Sequence, residues 1–202
     1  MPRPVLDLAL ERSLHAQGHP CVAGLDEAGR GPLAGPVVAA AVVLDPTCVP
    51  DGLADSKALT AARREALFEL ILSSADVGVA SICHATIDAI NIRRASLLAM
   101  CRALAALPCR PDVALVDGND PPDLPCAVRT IVKGDASVAS IAAASIVAKV
   151  MRDRLMRRLD AHHPAYGFKR NAGYSTALHL DALGREGPCA FHRRSFAPIR
   201  RG

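Results

Sequence analysis

The chain has 202 residues, of which 50% are hydrophobic and 22% charged, so it is long enough for one α/β domain and too apolar for intrinsic disorder. Only 3% of the residues are aromatic, which argues against a carbohydrate-binding aromatic surface. The longest uncharged stretch near the N-terminus, residues 31–44, is shorter than the roughly 18 apolar residues of a membrane span, and the first residues lack a signal-peptide pattern. We therefore expect a soluble, cytoplasmic protein with no membrane partner.

Charge is distributed unevenly, although the formal net charge is only +4. Residues 133–202 carry 13 Lys and Arg against 5 Asp and Glu, a net of +8, and residues 1–132 carry 11 against 15, a net of −4. A basic C-terminal third is typical of proteins that bind a polyanion such as nucleic acid. The alternative is a set of basic helix faces that serve solubility alone.

The seven cysteines, at positions 21, 48, 83, 101, 109, 126 and 189, are odd in number and include no C-x-x-C pair. This pattern argues against a disulfide framework and against a zinc site. Free cysteine packs readily as a small hydrophobic residue, so we expect buried, reduced thiols.

Hydrophobic periodicity predicts alternating strands and helices. In chain order, the first half is predicted as helix 5–17, strand 21–25, strand 37–44, helix 61–73 and strand 77–83. The second half is predicted as helix 87–106, strand 113–116, strand 128–132, helix 138–161, a loop over 164–174 and helix 176–184. Four of the helices have a candidate N-cap: Thr60, Thr86, Ser137 and Ser175. The order of elements favours a mixed sheet covered by helices.

Carboxylates follow three of the apolar strands: Asp26 with Glu27, Asp117, and Asp135 one residue past a glycine. Sites in open α/β sheets form at strand ends, and clustered carboxylates without His or Cys suit Mg²⁺ or Mn²⁺. Neighbouring residues of a strand point to opposite faces, so we expect the strand to break at Asp26 if Glu27 shares the site. The alternative for each acid is a capping or turn role.

Residues 29–32, Gly-Arg-Gly-Pro, match neither a Walker A loop nor the Rossmann glycine spacing. Their backbone N–H groups are unobstructed by side chains at the glycines. They can therefore approach a sugar hydroxyl or a phosphate closely.

Nine short segments form a pattern along the chain: residues 26–32 (DEAGRGP), 55–57 (DSK), 116–119 (VDGN), 132–135 (VKGD), 143–150 (AASIVAKV), 152–153 (RD), 166–168 (YGF), 173–176 (GYST) and 192–196 (HRRSF). In sequence and in order, these segments resemble ribonuclease HII, the bacterial type 2 ribonuclease H. The resemblance implies a ribonuclease H-like fold, with a five-stranded mixed sheet flanked by helices and a C-terminal helical portion. We expect a catalytic core over 1–160 and a subdomain over 161–202 that completes the substrate site, within one compact unit.

The resemblance also implies an activity. Such enzymes hydrolyse the RNA strand of RNA–DNA hybrids and nick 5′ of single ribonucleotides embedded in duplex DNA, leaving 3′-hydroxyl and 5′-phosphate ends with Mn²⁺ or Mg²⁺. The expected partner is therefore an RNA–DNA hybrid or a ribonucleotide-containing duplex, and we expect a monomer.

Carried onto this sequence, the resemblance implies that Asp26, Glu27, Asp117 and Asp135 are the catalytic and metal-binding residues. The implied substrate-binding residues are Gly29, Arg30, Gly31, Lys57, Lys133, Ser145, Lys149 and Tyr174. Gly29, Arg30 and Gly31 would contact the 2′-hydroxyl, and Tyr174 would pack on the deoxyribose of the RNA–DNA junction. Asp153 is a rival fourth acid, but it lies within a predicted helix and is interpreted as structural. No histidine is assigned to the chemistry.

The sequence departs from the family pattern at Asn171 and Ala172, where a His-Lys pair is common, so one phosphate contact is in question. Lys169 and Arg170 could replace it. Two rival functions stay open at this point. A junction resolvase or exonuclease of the same fold would not need a loop that contacts a 2′-hydroxyl, and a non-catalytic binding domain would not need four acids beside a polyanion.

Overall fold

The computed structural model describes residue 6 and residues 8–201. Its central feature is a five-stranded sheet in the order β3-β2-β1-β4-β5. The strands are β1 (Val22–Ala28), β2 (Val37–Leu44), β3 (Ala75–Ile82), β4 (Val113–Asp117) and β5 (Ala127–Ile131). Pairing is antiparallel between β1 and β2 and between β2 and β3, and parallel between β1 and β4 and between β4 and β5. The predicted mixed sheet is therefore confirmed.

Seven α-helices accompany the sheet in the described part of the chain. They are α1 (Ala9–Ala16), α2 (Ala61–Ser74), α3 (His84–Ile90), α4 (Ile92–Ala105), α5 (Ala139–His162), α6 (Phe168–Asn171) and α7 (Ala177–Glu186). Short 3₁₀ turns occur at Ser56–Ala58, Gly134–Ala136, Pro164–Tyr166 and Ile199–Arg201. The predicted helix over 5–17 corresponds to α1, and its positions 5 and 7 lie outside the described residues. None of the described helices is long and apolar enough to cross a membrane.

The alternation of side chains along β2 builds a hydrophobic layer on each face of the sheet. Ala39 and Ala41 are fully buried in the layer that contains α4. Ala40 and Val42 are fully buried in the opposite layer, which α2 and α5 cover. Small side chains on β2 let both helical layers approach closely, so an Ala- and Val-rich sequence forms this core almost without aromatic residues.

Helix ends differ from the predicted ones at several points. The single helix predicted over 87–106 is two helices, because Asn91 adopts a left-handed backbone conformation, φ +68°, and its side chain caps α4. Thr86 and Ser137 do not act as N-caps, and Thr176 rather than Ser175 caps α7. The predicted cap at Thr60 is confirmed by its hydrogen bond from the Arg63 N–H.

The C-terminal segment is more ordered than the predicted loop over 164–174, since it contains a 3₁₀ turn and α6. Phe168, Tyr166 and Ala182 pack with Ala34 and Met156 in a separate buried cluster. This cluster joins the C-terminal segment to α5 and to the chain that follows β1. Helix α5 runs two residues past the predicted boundary at residue 160, and the division into core and subdomain stays a prediction.

All seven cysteines carry free thiols, but the prediction that they are buried is wrong. Cys48 and Cys83 are exposed and the other five are half-buried. The interior is filled by Ala, Val, Leu and Ile from the sheet and its covering helices, which leaves the cysteines at the edges of these layers.

Candidate active site

Three carboxylates meet at one end of the sheet. Asp26 lies near the end of β1, Asp117 ends the parallel strand β4, and Asp135 lies in the 3₁₀ turn that follows β5. The carboxyl ends of neighbouring parallel strands reach the same edge, which brings these residues together. One oxygen of each carboxylate lies within 4.8 Å of the others, and we call the three residues the acidic triad.

Hydrogen bonds fix the orientation of the triad. Asp117 Oδ1 accepts from the Gly134 N–H at 2.7 Å, and Asp26 Oδ1 accepts from the Glu27 N–H at 2.7 Å. Lys57 Nζ donates to Asp135 Oδ2 at 3.1 Å. The backbone thus holds two of the acids in place, and a solvent-exposed lysine balances the charge of the third.

Burial and mutual repulsion disfavour the charged forms. Burial raises the pKa of Asp26 well above its usual range, and the charges of Glu27 and Asp117 raise it further. Burial and then the charge of Asp135 raise the pKa of Asp117. A divalent cation would offset this repulsion, and an all-oxygen donor set fits Mg²⁺ or Mn²⁺ rather than a softer metal.

Glu27 stands apart from the triad. The expected strand break at Asp26 is wrong, because β1 remains paired with β2 as far as Ala28. The Glu27 carboxylate is not among the three acids whose oxygens lie within 4.8 Å of one another, but it borders the same cavity as Asp26. The Glu27 carboxylate accepts from Arg30 Nη1 at 3.2 Å, and burial raises its pKa although Arg30 opposes the shift. Its role as a fourth metal ligand stays a prediction.

A cavity of about 280 Å³ adjoins the triad and collects most of the predicted substrate-binding residues. These are Gly29, Arg30, Gly31, Lys57, Ser145, Lys149 and Tyr174, which line it together with Asp26, Glu27 and Asp117. Lys133 is exposed and does not line this cavity. The structure thus brings together seven of the eight predicted substrate contacts.

Two loops form facing walls of this cavity. Residues 29–31, the glycine loop, form one wall, and Tyr174 of the tyrosine loop, residues 172–174, lies on the other. The Tyr174 side chain is 45% exposed, and a Cβ on Gly31 would lie 3.6 Å from its Cε1 atom. We call the space between Gly31 and the Tyr174 ring the sugar gap.

Asp153 takes no part in the triad. It lies on α5 and accepts from Lys149 Nζ at 2.7 Å, one helical turn away. It lines a neighbouring cavity rather than the acidic one.

Two buried arginines form part of this region, and the sequence reasoning gave them no role. Arg152 is 1% exposed and lines the cavity, and Arg193 is fully buried. Helical spacing could have identified the first, because Ser145, Lys149 and Arg152 follow one another on the same face of α5. Arg193 lies in the segment after α7, which carries no periodic pattern, so its signal was its place in residues 192–196, one of the segments that resemble ribonuclease HII.

A pair of buried histidines anchors the tyrosine loop. His192 Nδ1 accepts from the Cys189 N–H at 3.0 Å, so its proton is on Nε2, which donates to His179 Nε2 at 3.0 Å. His179 then donates from Nδ1 to the Tyr174 carbonyl at 2.8 Å. Both rings must be neutral for this relay, because a second proton would place two N–H groups head to head.

This relay makes stability depend on pH. Burial lowers the pKa of His179, and burial together with the charge of His179 lowers the pKa of His192 to about 4. Between pH 6.5 and 4 the unfolded chain binds more protons than the folded one, so the free energy of unfolding falls as pH falls through this range. The stabilisation that the neutral histidine pair contributes is fully present above pH 6.5.

Between pH 7 and pH 4, we expect the free energy of unfolding of His192→Phe to fall by about 2 kcal/mol less than that of wild type. The measurement is urea unfolding at each pH, with His162→Phe, at an exposed position on α5, as the control. Equal slopes for wild type and His192→Phe would show that the buried pair does not carry the effect.

A mixed sheet of this order, with carboxylates at the adjoining ends of its strands and a cavity of about 280 Å³ beside them, is typical of nucleases of the ribonuclease H-like class. A family model described as Ribonuclease HII matches residues 23–199. The chain belongs to the ribonuclease HII family.

The sequences of relatives are similar to this one over almost the whole chain. Ribonuclease HII of Xanthobacter autotrophicus is 60% identical over 195 residues, covering 96% of this chain and 78% of the relative. Ribonuclease HII of Rhizobium meliloti is 57% identical over 198 residues, covering 98% and 92%. The crystal structure of ribonuclease H2 from Pyrococcus horikoshii is similar with a TM-score of 0.77 and 29% identity, covering 90% of this chain and 96% of that one. This protein is accordingly a ribonuclease H, an endonuclease that hydrolyses the RNA strand of RNA–DNA hybrids.

Proposed function

We propose that the enzyme also nicks duplex DNA on the 5′ side of a single embedded ribonucleotide, leaving 3′-hydroxyl and 5′-phosphate ends. The observation that carries this proposal is the sugar gap beside the acidic triad. One wall is a glycine loop that can approach a 2′-hydroxyl, and the other is an exposed aromatic ring that can pack on a sugar. A ribonucleotide in DNA differs from its neighbours by one hydroxyl, so recognition must depend on contacts of this kind.

We assign the metal-binding role to the acidic triad together with Glu27. A bound Mn²⁺ or Mg²⁺ would polarise the scissile phosphate and activate a water for attack on it. The protein's own part is to hold the acids in fixed positions through the Gly134 and Glu27 N–H groups, as described above. Lys57, next to Asp135, is suited to contact the phosphate that enters this cluster.

We propose that basic side chains beside the sugar gap bind the phosphates of the duplex backbone. Lys149 borders both the acidic cavity and a second cavity of about 320 Å³, which Arg157, Lys169 and Arg170 also line. Asn171 is not a phosphate contact, because its side chain is buried and bonds Tyr166 and Gly173 within the loop. Lys169 and Arg170 are exposed. Their exposure supports the expectation that they supply the phosphate contact of the missing His-Lys pair. Lys133, two residues before Asp135, is exposed and is suited to a further phosphate contact.

A DNA duplex with one embedded ribonucleotide tests the proposed function. We expect a single nick 5′ of the ribonucleotide with Mn²⁺ or Mg²⁺ present, and none after EDTA treatment, because the carboxylates alone repel the phosphate. Restoring the cation should restore the nick. The matched all-DNA duplex should remain intact.

Each alternative gives a different result. Cleavage of the all-DNA duplex would favour a resolvase or exonuclease, and binding without cleavage would favour a non-catalytic domain. Nicking that persists in EDTA would contradict the metal assignment. We also retain the predictions of a monomer and of a cytoplasmic location, where hybrids and ribonucleotide-containing DNA occur in a bacterium.

A further inference from the structure

We propose that Arg152 and Arg193 are positioning residues that fix the width of the sugar gap, and that they thereby set the enzyme's preference for a single embedded ribonucleotide. The inference rests on the proposed function, because it concerns the same sugars. Both side chains are buried, and their hydrogen bonds go to backbone carbonyls. Each acts through the backbone of the two loops that face each other across the gap.

Arg193 fixes the backbone of the glycine loop. Its guanidinium donates from Nη2 to the Gly29 carbonyl at 2.7 Å, from Nη1 to the Arg30 carbonyl at 2.9 Å and from Nε to the Gly35 carbonyl at 3.0 Å. All three carbonyls are thus turned towards the interior. Within residues 8–201, the N–H groups of Arg30 and Gly31 donate no hydrogen bond, so they are available to a substrate.

Arg152 connects the tyrosine loop to the segment that follows the glycine loop. It donates from Nη1 to the Ala172 carbonyl of the tyrosine loop at 2.9 Å. Its Nη2 and Nε donate to the carbonyls of Ala34 and Pro36, which follow the glycine loop in the chain, at 3.2 and 3.0 Å. A single planar group therefore fixes the distance between the tyrosine loop and the segment that carries the glycine loop.

The glycines around Arg152 show how closely the walls are packed. Gly29 has φ +100°, and a Cβ there would overlap the Arg152 guanidinium. Gly173 has φ +81°, and a Cβ there would lie 2.6 Å from the Ala34 carbonyl oxygen. The backbone at both glycines thus packs too closely for a side chain to fit.

The two guanidiniums are buried, and neither forms an ion pair with a carboxylate among the described residues. Burial lowers the pKa of Arg152, and burial together with the charge of Arg152 lowers the pKa of Arg193 to about 9. Burying two such charges costs free energy that hydrophobic residues would not. A geometric role accounts for them, because only arginine presents donors in a rigid fork to three carbonyls at once.

The test compares Arg152→Lys and Arg193→Lys with Arg158→Lys, an exposed control on α5. Lysine keeps the charge but offers a single point donor. We expect kcat/KM on a duplex with one ribonucleotide to fall about 10- to 100-fold in both variants, since small misplacements of positioning groups have effects of this size. On a continuous RNA–DNA hybrid the loss should be smaller, because no deoxyribose lies beside the scissile ribonucleotide for Tyr174 to select.

The ratio of the two activities is the deciding readout. A merely structural role would lower both in proportion to the folded fraction, measured by thermal unfolding, and would leave the ratio as in wild type. Mn²⁺ affinity, measured by calorimetry, should match wild type. An unchanged ratio in both folded variants would overturn the inference.

Gly31→Ala provides a second variant if the lysine variants do not fold. Gly31 has no positive φ, and its added methyl would only touch the Tyr174 ring, so the protein should fold normally with a narrower gap. We expect the same selective loss on the one-ribonucleotide duplex. A wild-type ratio here would show that gap width does not govern the preference. If wild type itself fails to nick that duplex, the proposed function fails instead, and the two failures are therefore distinct.

Discussion

Asp26→Asn and Asp117→Asn are each expected to lower cleavage by about 10³-fold or more, because each removes a charged oxygen ligand from the acidic triad. Cleavage of a one-ribonucleotide duplex in Mn²⁺, at saturating substrate, measures the loss. Calorimetric titration with Mn²⁺ should show weakened binding in the same variants.

The same substitutions should not destabilise the fold. Asp26 is buried, and burial together with the charges of Glu27 and Asp117 raises its pKa. A neutral amide of the same shape relieves this repulsion, so the thermal midpoint without divalent ions should stay constant or rise. Loss of activity together with a large fall in the midpoint would point to a structural role for Asp26.

Asp153→Asn is the matched control, since this acid lies on α5 in an ion pair with Lys149. We expect it to keep most of the activity. If Asp153→Asn is inactive while Asp135→Asn is active, the choice of Asp135 for the triad is wrong.

Tyr174→Ala is expected to remove most cleavage at a single embedded ribonucleotide, roughly 100-fold, while leaving Mn²⁺ affinity unchanged. The ring is exposed across the sugar gap from Gly31 and is far better placed for a sugar than for the core. Its backbone is anchored separately by the His179 ring, so the side chain can be removed without releasing the loop.

Tyr174→Phe distinguishes packing from hydrogen bonding. It should lose much less activity if the ring face makes the contact, because the ring remains. Nicking rates of both variants on a one-ribonucleotide duplex decide the matter. Wild-type rates for Tyr174→Ala would show that Tyr174 takes no part in recognition.

Local sequence patterns were sufficient for most of the fold. Apolar runs located the five strands, and Thr60 located the start of α2. The break at Asn91 was missed because it depends on one residue in a left-handed conformation within an otherwise helical pattern. Burial of the cysteines was also predicted wrongly, since it depends on which residues fill the layers rather than on the hydrophobicity of the thiol.

The grouping of the site residues followed only partly from sequence. Asp26 and Asp117 come together because they end adjacent parallel strands, which the pattern of strands and acids suggested. Glu27 was expected beside them through a strand break; β1 instead stays paired with β2, and Glu27 borders the same cavity without joining the acidic triad.

The sequence by itself determined the chemistry available to this protein: the acids, the glycine loop, Tyr174 and the family to which these motifs belong. These are local features. Residue type determines what a side chain can bind, and the position of a residue at a strand end determines where in the sheet its side chain lies. Only the tertiary structure decided the spacing between them. Arg152 and Arg193 fix that spacing through carbonyls from segments more than 100 residues away in the chain, and the histidine pair anchors the tyrosine loop from α7 and the segment after it. Contacts between such distant segments leave no periodic pattern, because they form only when the packed layers bring the segments together.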